Sequence, residues 1–226
     1  MTQNQQIEEQ LVDLRKRQTE SWPKGVSREI NYRMGKVPMS QYVRAEAKAR
    51  PNDAMVHYYG RTLSWAEIDD ASDCFAGLLL ARGVTAGDRV AVMMGNCPQF
   101  LICFWGIMKL GAVLVPVNPM FKAIELTYQL TDSGAETLVF QDDLAQLVAS
   151  VAADTPLKLM LATGAAEMAG EGGAVPRPAG MGDAPEAEGI ERLLEALATA
   201  TPFTGPDCTD LDAVAALNYT GGTTGM

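Results

Sequence analysis

The sequence predicts an α/β protein with a layered parallel β-sheet and flanking helices. From residue 89 onward, short apolar runs of strand length alternate regularly with runs of helical length. Pro98 suits the first turn of a helix and Gly111 suits a helix end, so both residues fall where this alternation requires them. Strands and helices that alternate in this way form parallel strand pairs joined by right-handed crossovers.

The first twenty residues are predicted to form a polar N-terminal helix or arm. Ile7, Leu11 and Leu14 recur at helical spacing and give this segment a thin apolar stripe. A frayed or surface-docked helix is the favoured interpretation, and an arm that joins two copies into a homodimer is the alternative. Residues 21–226 are predicted to form the α/β domain.

A helix and a β-hairpin are predicted at the start of this domain. The helix spans residues 39–50 and ends before Pro51, because the residue that precedes a proline disfavours helical geometry. Two short runs at 54–59 and 61–63, joined through Gly60, indicate the hairpin.

A longer helix follows, and the alternating part begins after it. Ser64 and Glu67 have the spacing of a capping box at the helix start, and Gly83 is typical of a helix end. The alternating elements are a strand at 89–94, a helix at 98–109, a strand at 112–117, a helix at 122–131, a strand at 136–140, a helix at 142–152 and a strand at 157–161.

Residues 162–189 are predicted to form a flexible loop. Ala, Gly, Pro, Met and Glu dominate this run without lasting periodicity, so it cannot bury enough apolar surface to offset its chain entropy. A functional lid is the alternative, since long loops are sometimes functional. A short helix at 190–198, a turn region at 202–212 and a final strand at 213–218 are predicted after it.

The composition excludes several classes of partner and site. A net charge of -10 and a pI near 4.6 argue against nucleic acid and anionic lipid, because both bind clustered Lys and Arg side chains. The four cysteines include no Cys-x-x-Cys pair, and His57 is the single histidine. No zinc ligand set can be assembled from these residues, and no metal site is predicted.

The sequence predicts a cytoplasmic protein without a transmembrane segment. Cysteines without a pairing pattern are typical of reduced cytosolic proteins, and the charged-then-apolar start of a secretory signal is missing. The apolar stretch at 100–117 is interrupted by Lys109, Gly111 and Pro116. It therefore divides into a buried helix and a strand and does not indicate a membrane span.

The end of the chain is predicted to bind phosphate. The apolar run at 213–218 leads into Tyr-Thr-Gly-Gly-Thr-Thr-Gly-Met at 219–226. Glycines and threonines in this arrangement bring backbone N–H groups and hydroxyls together with little side-chain bulk. An ordinary strand-to-turn segment without a ligand is the alternative. The predicted phosphate-binding residues are Thr220, Gly221, Gly222, Thr223, Thr224 and Gly225.

Spacing excludes two common phosphate loops, because a Walker loop requires Gly at Met226 and a dinucleotide fingerprint requires Gly at Thr220. The stretch resembles the phosphate loop of the adenylate-forming enzymes, the superfamily of acyl-CoA synthetases, luciferases and nonribosomal-peptide adenylation domains. That loop has the sequence Tyr-Thr-Ser-Gly-Thr-Thr-Gly-x-Pro-Lys-Gly, and this chain matches it from Tyr219 to Gly225. Gly221 replaces the serine, a variant associated with long-chain fatty acyl-CoA synthetases.

Upstream segments resemble the N-terminal region of the same family. They lie at 87–98, 106–113, 117–119 and 125–126, so the resemblance covers most of the chain from about Trp22. It implies that the α/β domain is the first subdomain of the large N-terminal domain of an adenylate-forming enzyme.

The resemblance also implies an activity for the full-length protein. In this family the carboxylate of an acid attacks the α-phosphate of ATP, pyrophosphate leaves, and the thiol of CoA displaces AMP from the acyl-adenylate. The implied cofactors are ATP, Mg²⁺ and coenzyme A, and the implied partners are small molecules, namely a carboxylic acid, ATP and CoA. The expected role is an acid–thiol ligase of fatty acid metabolism.

The family's adenine-binding segment, its magnesium-binding glutamate and its C-terminal lysine would all lie beyond Met226. No catalytic residue is therefore predicted within this chain, which is interpreted as an N-terminal fragment that is inactive alone. A long-chain fatty acid is the leading substrate, with aryl or medium-chain acids next. A standalone α/β binding module with a vestigial phosphate loop is the alternative from a different functional class.

Overall fold

The computed structural model describes residues 3–171, 175–176, 181 and 189–220, and the chain divides into two compact units, Met1–Lys36 and Val37–Met226. The first unit contains the helix α1 (Gln3–Ser21), as predicted. Its apolar stripe of Ile7, Leu11 and Leu14 lies between 46% and 55% exposed.

The chain that follows α1 folds back onto its last turn. The Arg28 guanidinium donates a hydrogen bond to the carbonyl oxygen of Thr19 at 2.7 Å and lies 5.9 Å from the centre of the Trp22 ring. These contacts tie the residues that follow α1 to its last turn, and the boundary after residue 20 stays a prediction.

The second unit contains the predicted helix, hairpin and alternating elements, with end points shifted by a few residues. Its elements are α2 (Met39–Ala49), β1 (Ala54–Tyr58), β2 (Arg61–Ser64), α3 (Trp65–Ala81), β3 (Arg89–Met93), α4 (Pro98–Leu110), β4 (Val113–Pro116), α5 (Ala123–Ser133), β5 (Thr137–Gln141), α6 (Ala145–Val151), β6 (Leu159–Thr163), β7 (Glu191–Arg192) and α7 (Leu193–Thr199). The capping box of Ser64 and Glu67 is confirmed, and so is the helix end at Gly111, whose φ is +75°.

Strands β3 to β7 form a parallel sheet in the order β4-β3-β5-β6-β7, and β1 and β2 form a separate antiparallel hairpin. This confirms the predicted fold class of a layered parallel sheet with flanking helices. The short strand β7 occupies the start of the helix predicted at 190–198, and α7 begins only at Leu193 because Glu191 and Arg192 pair with β6.

The strand predicted at 213–218 is wrong in extent. Its only pairing in the described residues is a parallel bridge between Ala216 and Leu114. The Leu114 N–H donates to the oxygen of Ala215 at 3.0 Å, and the Leu114 oxygen accepts from the Leu217 N–H at 2.9 Å. Residues 213–215 are exposed, so this edge run gains too little burial to extend the pairing along β4.

Strand β6 continues through Thr163, into the segment predicted as a loop. Further along, Met168 and Ala169 are buried, and the Gly170 N–H donates to the oxygen of Tyr59 beside the hairpin at 3.0 Å. The predicted flexibility of the remainder, up to residue 189, falls mostly on residues outside those that the structure describes. That part stays a prediction.

Each face of the sheet carries its own apolar core. Successive side chains of a strand point to opposite faces, so Val90 and Val92 of β3 belong to one core while Ala91 and Met93 belong to the other. Helices α3, α4 and α7 cover the first face, and α5 and α6 cover the second. The result is a three-layer α/β domain.

An ion-pair network joins α2, α3 and α4. The Lys109 side chain of α4 is 0% exposed, and its Nζ lies 2.6 Å from Asp69 Oδ1 and 2.9 Å from Asp73 Oδ1 of α3. Arg44 of α2 pairs with Asp73 and with Asp207. The two carboxylates of α3 balance the buried ammonium, which would be costly to remove from water unpaired.

We expect Lys109→Ala to lower the free energy of unfolding by about 3–5 kcal/mol, because it leaves two carboxylates without their buried counter-ion. The matched control is Lys158→Ala, whose side chain is 72% exposed and pairs with Glu136 at 2.7 Å. That change should cost at most about 1 kcal/mol. Urea unfolding of both variants measures the difference, and equal losses would contradict the structural role of Lys109.

Candidate functional site

The first feature of the candidate site is the switch point, the place at the carboxyl ends of β3 and β5 where the chain leaves these neighbouring strands towards opposite faces of the sheet. Parallel strands end at the same edge, and ligands bind there where neighbouring strands send the chain to opposite faces. Strand β3 continues into α4 on the first face, whereas β5 continues into α6 on the second. The Gly95 N–H donates to Gln141 Oε1 across this point at 3.4 Å.

Polar groups at the carboxyl ends of the strands are hydrogen-bonded to one another. Buried Gln99, in the first turn of α4, donates from Nε2 to Thr163 Oγ1 at 3.2 Å and to the oxygen of Gly164 at 2.8 Å. Glu167 Oε2 accepts from Thr163 Oγ1 at 2.7 Å and from the Gly164 N–H at 2.8 Å. These bonds hold the end of β6 against α4.

Arg192 completes the carboxyl edge on the β7 side. Its guanidinium pairs with Glu167 and lies 3.0 Å from Asp142 Oδ2, whose residue follows β5 directly and is 3% exposed. A cavity of about 700 Å³ borders Asp142 and Arg192, and residues of α3, β7 and α7 contribute to its lining. Along the sheet, β4, β3 and β5 lie between this cavity and the bridge at Ala216.

Sequence reasoning did not find these edge residues. Asp142 and Arg192 are 50 positions apart in the chain, and only the strand order brings them together. A usable signal was the position of Asp142 and Thr163 at the carboxyl ends of apolar strands, where side chains of a parallel sheet meet.

Thr220 is the one predicted phosphate-binding residue that the structure describes, and it is exposed. The run that leads to it meets the sheet at Ala216, and β4 and β3 separate that point from the switch point between β3 and β5. The chain therefore approaches the predicted loop beside β4, the outermost strand of the sheet. The phosphate-binding role of the loop stays a prediction. Outside the described residues lie Gly221, Gly222, Thr223, Thr224 and Gly225.

Tyr219, the first residue of the predicted loop, is anchored on the last turn of α5. Its hydroxyl donates to Asp132 Oδ2 at 2.5 Å, and its ring packs against the second core. Burial, followed by the hydrogen bond to Asp132, raises the pKa of Tyr219 to about 12. The sequence motif contains this tyrosine but does not indicate its partner.

Contacts with α3 and α4 hold the segment that precedes the edge run. Residues 200–212 lack helix and strand, yet the Phe203 N–H donates to the oxygen of Asp73 at 2.9 Å. The Cys208 N–H donates to the oxygen of Lys109 at 3.0 Å. The path of the chain towards the loop is therefore fixed by its neighbours.

Within the described ranges, no three His, Cys, Asp or Glu side chains form a group that could hold a metal ion. Within the same residues, none of the helices combines the length and the apolar character needed to cross a membrane.

Comparison with known proteins gives relatives for most of the chain. A family model described as "AMP-binding enzyme" matches residues 43–226. Long-chain-fatty-acid–CoA ligases from Bacillus subtilis (strain 168) and Escherichia coli O6:H1 are 34% and 30% identical over 103 and 143 residues. These matches cover 45% and 63% of this chain but only 18% and 25% of the two ligases. The chain thus spans a quarter or less of those relatives.

The fold is shared with a solved structure as well. The anthranilate CoA ligase AuaEII in complex with anthranoyl-AMP aligns with a TM-score of 0.70 and 21% identity, over 83% of this chain and 33% of that chain. At this level of identity the likeness concerns the fold alone.

We expect the Tyr219 hydroxyl to make stability depend on pH at the alkaline end. Its pKa is raised from 10.0 to about 12, so the folded state favours the protonated phenol. This contribution is fully present below pH 10 and is lost as the pH rises through 12. Wild type and Tyr219→Phe should therefore differ in melting temperature below that window and converge within it.

Tyr32→Phe is the control, since Tyr32 is an exposed tyrosine of the first unit. Its melting temperature should follow that of the wild type at every pH. A difference between wild type and Tyr219→Phe that stayed constant through the window would show that ionisation of the hydroxyl does not change stability.

Proposed function

Because the chain belongs to the AMP-binding enzyme family, we propose that it is the N-terminal part of an ATP-dependent acid–CoA ligase. The observation that supports this proposal is the family match over residues 43–226, which includes the loop sequence at 219–225. The complete protein activates a carboxylic acid as an acyl-adenylate and transfers the acyl group to CoA.

A long-chain fatty acid is the proposed substrate. The two relatives described above are named long-chain-fatty-acid–CoA ligases, and Gly221 agrees with the loop variant associated with such enzymes. An aryl or medium-chain acid is the second candidate, and the shared fold with an anthranilate CoA ligase supports the aryl option.

The proposed ATP-phosphate site consists of Thr220, Gly221, Gly222, Thr223, Thr224 and Gly225. Backbone N–H groups and threonine hydroxyls suit the first half-reaction, because negative charge accumulates on the leaving pyrophosphate and preorganised donors stabilise it. The loop carries no carboxylate, which fits an anionic ligand, and Thr220 is exposed to solvent. Mg²⁺, bound with the nucleotide, supplies further neutralisation of the phosphates.

The net charge of the chain adds a constraint on this site. At -10 the chain repels ATP at long range, so nucleotide binding depends on local donors and not on electrostatic steering. This is a further reason to place the binding energy in the loop.

We expect Thr224→Ala to slow acid-dependent and CoA-dependent release of pyrophosphate by about 10²-fold in the complete protein that carries this chain. The reason is the loss of one donor to the charge that develops on pyrophosphate. Thr204→Ala is the matched control, because Thr204 is exposed and lies outside the loop. Unchanged turnover in Thr224→Ala would remove this residue from the site, and a wild type that releases no pyrophosphate would overturn the proposed function.

Residues 1–226 alone should bind MgATP no more tightly than about 1 mM, which is roughly -4 kcal/mol. Ordering the loop costs about 1–2 kcal/mol per residue, and each charge-assisted hydrogen bond returns only roughly 1.5–3 kcal/mol. Titration calorimetry measures the affinity. Micromolar binding would instead favour a standalone nucleotide-binding module.

A further inference from the structure

The ion-pair network described above continues beyond the helices into the segment that leads to the loop. Asp207 accepts hydrogen bonds from Arg44 at 2.9, 2.9 and 2.7 Å, so the pair is bidentate. On its other side, the same guanidinium donates to Asp73 at 3.0 and 2.8 Å. Arg44 therefore joins α2, α3 and the irregular segment 200–212 through one planar group.

The pair of Arg44 and Asp207 can hold the backbone of segment 200–212 in place at residue 207. The side chain of Asp207 is 7% exposed and that of Arg44 is 32% exposed, so water screens the pair less than it screens a surface ion pair. The hydrogen bond to Asp207 raises the pKa of Arg44, which keeps the guanidinium charged. A bidentate, half-buried pair fixes both the distance and the orientation of its two partners.

Two close backbone approaches show how tightly the segment lies on the helices. A Cβ added at Gly77 of α3 would lie 1.9 Å from the oxygen of Thr201, and one at Gly111 would lie 2.8 Å from Cβ of Cys208. Asp207 thus lies next to a point where the chain contacts α4. The next fixed point is the bridge at Ala216, just ahead of the predicted loop.

We propose that Arg44 and Asp207 are positioning residues that determine where the edge run meets β4 and hence the path by which the chain reaches Thr220, the first predicted phosphate-binding residue. Ahead of the bridge the run makes few contacts of its own, since residues 213–215 are exposed and the pairing with β4 is a single bridge. A displacement of the backbone at Asp207 therefore also displaces the edge run that leads to the loop. Small displacements of groups that bind a substrate lower the reaction rate by large factors. The link to nucleotide turnover rests on the proposed ligase function.

The first test measures position without activity. Asp207→Asn keeps the shape of the side chain and removes its charge, and Arg44 stays paired with Asp73. In the 226-residue chain, hydrogen exchange of the Leu217 amide, which donates to Leu114, should accelerate at least about tenfold, while amides in β3 and β5 stay unchanged. Unchanged exchange at Leu217, or acceleration across the whole sheet, would overturn the proposal.

Glu191→Gln is the matched control. It removes the carboxylate charge from the bidentate pair of Arg82 and Glu191, which lies elsewhere on the domain and is more exposed. This variant should leave the Leu217 amide unchanged. Arg44→Lys is the second variant and decides the outcome if Asp207→Asn does not fold, because an ammonium cannot reproduce the bidentate geometry.

The second test uses the complete protein and pyrophosphate release. Asp207→Asn should lower kcat/KM for MgATP about tenfold. Glu136→Gln, which removes the charge from the exposed pair of Glu136 and Lys158, should leave it unchanged. Altered exchange at Leu217 with unchanged kcat/KM in an active enzyme would overturn the positioning role. If the wild type shows no ligase activity, the proposed function fails, and the exchange result alone decides whether the pair positions the edge run.

Discussion

The second unit depends on the pairing of one fully buried ammonium with carboxylates on a neighbouring helix. Lys109 lies inside α4, where an unpaired charge would strongly favour unfolding, and Asp69 and Asp73 of α3 remove that penalty. Arg44, which also pairs with Asp73, extends this network of opposite charges to Asp207, a residue outside the helices. The same network that allows α3 and α4 to pack also constrains the chain that approaches the loop.

The two-faced sheet explains why the polar groups lie where they do. Apolar side chains fill both faces, so polar residues of the sheet are concentrated at strand ends, where Gln99, Thr163 and Glu167 bond to one another. Strand order then decides which ends are neighbours. The switch point lies between β3 and β5 because the chain leaves these two strands towards opposite faces.

Membership of the AMP-binding enzyme family indicates the kind of enzyme, whereas the described geometry shows what holds the chain ahead of the loop. The family assignment covers residues 43–226 and includes the loop sequence. The described geometry concerns the chain that leads to that loop, namely the edge run at Ala216, the anchor of Tyr219 on Asp132 and the pair of Arg44 and Asp207. The relatives are several times longer than the matched region, so the complete activity is a proposal about the whole protein.

The sequence by itself determined the fold class, the order of elements from residue 39 to 161, the capping box at Ser64 and the helix end at Gly111. These features are local, since hydrophobic periodicity, capping residues and glycine conformations act within a few positions of the chain. The sequence also contained the loop motif from Thr220 to Gly225.

Only the tertiary structure decided the strand order, the single bridge at Ala216, the partners of Tyr219 and Lys109, and the meeting of Asp142 with Arg192. Each of these depends on residues far apart in the chain, and no local pattern specifies which strand ends or charges become neighbours. The edge run shows this most clearly. Its apolar composition predicts a strand, but pairing requires a partner and burial that the sheet offers at only one position.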